Sequence, residues 1–166
     1  MTALGSKNGM QRQKARLILV AIGEPTVDFL AELAFHPQWI IRWEAVKALS
    51  QIKNAVAAPI LINALEDEYE GIRWLAAEGL IALGKQGLIP MLEALTSYRL
   101  TIFLREGAHH VFKKLSKRYT LTGMEELMES LENTDSYFRI PINARAMLNE
   151  ILKNNNNPPD SYLQLK

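Results

Sequence analysis

The chain has no cysteine, so it carries neither disulfide staples nor thiolate metal sites. It has almost no net charge: 19 Lys and Arg stand against 18 Asp and Glu, a formal +1. Nothing global therefore draws it to nucleic acid or to anionic lipid. Long apolar runs are missing as well. No segment approaches the roughly 20 unbroken apolar residues of a spanning helix, and residues 1–10 lack the apolar stretch of a secretory leader. A cytoplasmic protein with no membrane partner is expected. Alternation of period two never lasts a strand's length, so strands are not expected. Enzyme signatures are missing too: no Gly-rich phosphate loop behind a strand, no Gly-x-Ser-x-Gly elbow, no Cys nucleophile. No cofactor is expected.

What is present is repetition. Ile41-Arg42-Trp43-Glu44-Ala45 returns 31 positions on as Ile72-Arg73-Trp74-Leu75-Ala76. Leu49 returns as Leu80, Ile52 as Leu83 and Pro59 as Pro90. The register runs back to Ala15, Ile18, Leu19 and Ile22. It runs forward to Leu104, Ala108, Val111, Phe112 and Leu115, and again to Ile140, Ala144, Met147, Leu148 and Ile151. These spacings trace one face of a helix. They predict five equivalent first helices near 10–22, 39–52, 70–83, 100–118 and 140–153. Shorter second helices are predicted near 25–35, 56–66, 87–96 and 123–132. Gly23, Gly84 and Gly123 fall between helices, where a left-handed residue turns the chain. Pro25 stands at a helix start, Pro59 and Pro90 in first turns, and Pro141 near the start of the last helix. Helix pairs of this size cannot bury their apolar faces singly but can do so when stacked. The chain thus divides into a segment 1–9, a repeat domain 10–153 and a flexible Asn- and Pro-rich tail 154–166. Within that tail Asp160-Ser161-Tyr162-Leu163 is apolar enough to dock on a partner.

The segments "IRWEAVKALSQI", "IRWLAAEGLIALG" and "LREGAHHVFKKL" resemble HEAT repeats, and in particular the short subtype of phycobilin lyase subunits that is common in bacterial proteins. The resemblance covers about residues 10–153. It implies an all-α fold, a right-handed α-α superhelix (a HEAT-like solenoid) of about four to five helix pairs.

Arg12, Arg42, Arg73 and Arg105 share one register position. The resemblance implies a structural ladder in which each pairs with acidic or carbonyl groups of the adjacent turn; the alternative is an anion-binding row. Trp43 and Trp74 share the next column and are expected to be buried between repeats; the alternative is a hot spot for a partner. Trp39, at a helix start, is expected to be a partly exposed aromatic anchor. Glu106, His109 and His110 lie on one helix face, but they are fewer than a structural zinc site needs, so no metal is expected there. The second helices, as read, contain no Lys or Arg. The resemblance implies that such helices line the concave surface, which would make that surface acidic to neutral. Its candidate binding residues are Asp28, Glu32, Asn63, Glu66, Glu93, Glu125, Glu129 and Glu132. The function this implies is a non-catalytic scaffold for a basic or helical protein segment. Nucleic acid is disfavoured on that face by like charge. Two alternatives stand beside this one. The first is a phycobilin-lyase-like or chromophore-chaperone subunit, which the resemblance alone implies. The second is nucleic-acid binding through the convex basic run Lys113, Lys114, Lys117 and Arg118.

Overall fold

A computed structural model describes residues 3–97 and 100–156. Among these residues there are nine α-helices and no strand. Helices α1 (Gly9–Ile22), α3 (Trp39–Ile52), α5 (Glu70–Leu83), α7 (Ile102–Leu115) and α9 (Ile140–Asn156) are the first helices of the register. Helices α2 (Val27–Leu33), α4 (Ala58–Ala64), α6 (Lys85–Leu95) and α8 (Met124–Glu132) are the second. The chain forms two compact units, Met1–Leu83 and Gly84–Lys166. The docking stretch read in the tail lies outside the described residues, and α9 runs past residue 153 to Asn156.

In the first unit, α3 packs between α1 and α5, while α2 lies on α3 and α4 on α5. This is the stacking of an α-solenoid. Ala45, Ala48, Leu49, Ile72, Ala76 and Leu80 are buried where the register repeats. Each large aliphatic side chain so buried contributes roughly 1.5–3 kcal/mol. The contact is closest at Gly79. A Cβ there would lie 2.9 Å from Leu61 Cδ1, 2.9 Å from Ser50 Cβ and 3.2 Å from Ser50 Cα. Only a residue without a side chain lets α5 approach both helices this way.

Three chain reversals occupy one register column, Gly23, Lys53 and Gly84, and all have positive φ (79°, 55° and 58°). Two are the expected glycines. Lys53 shares only the positive φ: it is left-handed helical (φ 55°, ψ 37°), whereas Gly23 and Gly84 have ψ of −138° and −125°, and with a Cβ in place that conformation is unfavourable for an L-residue.

In the second unit, α6 packs on α9, α7 on α8, and α8 on α9. The register positions Ala108, Val111, Phe112, Leu115, Ile140, Ala144 and Met147 are all buried. The reading had α9 stacked as the next first helix after α7. Instead its main contacts are two second helices.

Other expectations need correction. Helix α6 starts at Lys85, directly after the Gly84 turn, so Pro90 stands inside it rather than in its first turn. The missing N–H of Pro90 leaves the carbonyl of Gln86 without its helical donor. The same early start puts a lysine in a second helix: Lys85 lies over the Tyr119 ring, 5.2 Å from its centre. Helix α7 is shorter than read. Thr101 caps it by accepting the Leu104 N–H at 3.0 Å, and it ends at Leu115. On α1 the register residues Ile18 and Ile22 are exposed; within the unit α1 is packed by one neighbouring α-helix, α3, and by the short 3-10 turns Ala3–Gly5 and Glu24–Thr26.

Candidate interaction surfaces

The register arginines close the helix corners of the first unit. Arg12 Nη1 donates to the carbonyls of Ser6 (2.8 Å) and Lys7 (3.3 Å). Arg42 Nη1 donates to those of His36 (3.0 Å) and Pro37 (3.2 Å). Arg73 Nη1 donates to those of Asp67 (2.8 Å) and Glu68 (3.2 Å). Each guanidinium thus holds the carbonyls six and five residues before it. At the same corners the side chains of Ser6, His36 and Asp67 accept the backbone N–H two residues on, from Asn8, Gln38 and Tyr69. Such local side-chain bonds are what halt one helix and start the next.

Two of these arginines also reach into the following repeat. Arg42 donates from Nε to Asp67 at 2.7 Å, and from Nη2 to Asp67 at 3.1 Å and to Glu68 at 2.9 Å. The bond to Asp67 is the main reason that the Arg42 pKa is raised further; burial opposes it and Glu68 adds to it. Arg12 Nε donates to Glu44 Oε1 at 3.3 Å, and the buried Arg16 donates to the other oxygen of Glu44. Glu44 is itself buried, so one carboxylate serves two guanidinium groups. For Arg105 the matching carbonyls belong to residues 99 and 100, the first of which lies outside the described residues.

The acidic candidates are all exposed and fall in both units. The first unit holds Asp28 and Glu32 on α2, Asn63 on α4, and Glu66 just beyond α4. Asn63 Nδ2 donates to the Pro59 carbonyl at 3.1 Å. The second unit holds Glu93 on α6 and Glu125, Glu129 and Glu132 on α8. Helix α8 is the sharper case. Met124, Leu127, Ser130 and Leu131 are buried, while its four glutamates stay exposed. An open cleft of about 400 Å³ runs between α8 and α9, lined by Glu126, Asn143, Met147, Glu150 and Lys153 among others. Asn143 Nδ2 donates to the Glu126 carbonyl at 2.9 Å and ties the two helices together. The basic run Lys113, Lys114, Lys117 and Arg118 is exposed at the end of α7 and in the turn after it.

Glu106, His109 and His110 do not assemble a metal site. Among the described residues no group of three or more His, Asp or Glu side chains could hold an ion. His109 Nε2 lies 3.0 Å from Glu132 Oε1 on α8. That contact holds the Glu132 carboxyl below its ordinary pKa; slight burial opposes this, and the charges of His109 and Lys113 add to it.

The tryptophans divide. Trp39 is 42% exposed and stacks on Tyr69, with ring centres 5.1 Å apart and planes 25° apart. Trp43 is half-buried and lies across Gly71, where a Cβ would come within 2.3 Å of its ring. Trp74 was expected in the core and is 57% exposed instead. Trp43 is covered by the backbone of the next first helix. Trp74 is on the last first helix of its unit and has no such cover within it. Tyr69 and Glu44 were not singled out as site residues. Neither shares its residue type with another copy, so repetition could not flag them.

Among the described residues no helix is long and apolar enough to cross a membrane. The family described as HEAT repeats matches this chain over residues 1–81 and again over residues 27–101. That match does not single out the phycobilin-lyase subtype. No curated protein matches the chain.

Proposed function

The chain belongs to the HEAT-repeat family, and from that premise we propose that it is a binding module without chemistry of its own, which holds a basic, helical protein segment. HEAT repeats commonly serve as protein-interaction scaffolds, and repeat stacks offer extended rigid surfaces. The observation that carries the finer reading is the stripe on α8. Glu125, Glu129 and Glu132 recur at helical spacing on its exposed side, and the helix contains no Lys or Arg. The α8–α9 cleft alongside adds Glu126 and Glu150. On the same reading Asp28, Glu32, Asn63 and Glu66 are the candidate contacts of the first unit, and Glu93 is a further one of the second.

A face of this kind sets orientation and association rate, and its close charge pairs add to affinity. The test is calorimetric titration of the full chain with a lysine-rich amphipathic peptide. Glu125→Lys combined with Glu129→Lys is expected to weaken binding about tenfold or more, as for loss of paired interface charges. Unchanged affinity in that variant would remove the basis of the reading.

A further inference from the structure

We propose a second, separate binding surface at the corner edge of the first unit, which takes an arginine- or lysine-bearing segment of another protein through aromatic faces ringed by carboxylates. It lies on first helices and the loop before α5, not on the second helices. Its members are Trp39, Trp43, Tyr69 and Trp74, with Glu68 and Glu70 at the rim.

The parts are contiguous. Trp39 stacks on Tyr69. Trp43 is one helical turn from Trp39 and lies over Gly71. Trp74 is one turn beyond Gly71 on α5, and Glu70 is one turn before Trp74. The aromatic rings are not sealed off, since Tyr69 is 41% exposed and Trp74, as noted, more than half. Exposed apolar side chains that are grouped together mark interaction sites in soluble proteins, and Trp and Tyr are the side chains that most often dominate binding energy.

Charge chooses the occupant. The loop reads Glu66-Asp67-Glu68-Tyr69-Glu70, and Glu68 keeps 73% of its side chain exposed while bonded to Arg42. The patch already accommodates one cation from within. The Arg42 guanidinium sits 5.6 Å from the Tyr69 ring centre and bonds Glu68 at 2.9 Å. An incoming guanidinium or ammonium would repeat that arrangement on the outward faces of Trp39 and Trp74, with Glu68 and Glu70 as counter-charges. Cation–π pairing and carboxylate bonding then act together.

All three tryptophans of the chain lie in this patch, so their emission reports on it directly. The experiment titrates the full chain with a synthetic arginine–alanine peptide and with its glutamate–alanine counterpart. A saturable emission change with the first peptide only, weakened by added salt, is expected. Trp74→Ala and Glu68→Lys should each weaken binding about tenfold or more by calorimetry. Both positions are exposed, and circular dichroism verifies that the variants stay folded. No saturable change, or an equal response to both peptides, would overturn the surface. So would wild-type affinity in both variants. If the Glu125→Lys, Glu129→Lys chain alone lost the arginine peptide, this surface would fail while the α8 reading stood. Loss in Trp74→Ala alone would do the reverse.

Discussion

The two units bury the same repeated pattern in different ways. In the first, α1, α3 and α5 stand side by side, and each corner is closed by the same seven-residue set of bonds. In the second, α9 carries the register residues Ile140, Ala144 and Met147, equally buried, yet packs on α6 and α8. The difference lies at the corners. Where the fifth copy would place its arginine, it has Pro141, the second residue of α9. A proline cannot bond the carbonyls before it. The chain there runs instead through a 3-10 stretch, Thr134–Arg139. Periodicity therefore determines which residues leave water, and corner chemistry determines which neighbour receives them.

The strongest way to break this comparison is Glu44→Ala. It leaves Arg12 and the buried Arg16 without their shared carboxylate, a loss of about 3–5 kcal/mol. Hydrogen exchange should report lost protection in α1 and α3 with α8 and α9 unaffected; equal losses in both units would mean that the corners do not separate them. Gly79→Ala comes next. Its new methyl would press on Ser50 and Leu61, and overpacking of this kind costs about 1–3 kcal/mol, readable in urea unfolding. Lys53→Gly should act in the opposite direction. Relieving one left-handed L-residue is worth about 1 kcal/mol, and the first unit should melt later. The smallest effect sharpens the second unit. The Glu132 carboxyl has a lowered pKa when folded, so its tie to His109 stabilises above the ordinary carboxylate range and is lost as pH falls through the folded value. Glu132→Gln should lower stability slightly at neutral pH and leave it unchanged in acid, so that the acid limb of the melting curve becomes shallower.

Much of the fold was legible in the sequence. The boundaries of α3 and α5 coincide with the reading at both ends, because repetition and helical spacing agree there. Gly23, Gly84 and Gly123 all turn out at positive φ. What was not legible depends on contacts distant in sequence. Trp74 could be assigned to a column, but whether the next helix covers it is not written in its own helix. Pro90 was misplaced because a one-residue turn at Gly84 lets α6 begin early. The register of the arginines could be read, while their particular partners, such as Glu44 lying 28 residues from Arg16, could not. The acidic candidates are exposed, but sequence spacing said nothing of the two units over which they are distributed.

The arginine corner is self-contained. Donor and acceptors lie within six residues of one another, so a duplicated stretch of gene arrives with its own fastening and needs no accommodating change in the host protein. The bonds that run onward, Arg12 to Glu44 and Arg42 to Asp67, are another matter, since they demand a matched partner in whatever copy comes next. Lengthening such a protein by copying is thus easy at the hinge and selective at the seam, and drift at the seam is where a regular array would begin to turn into something else.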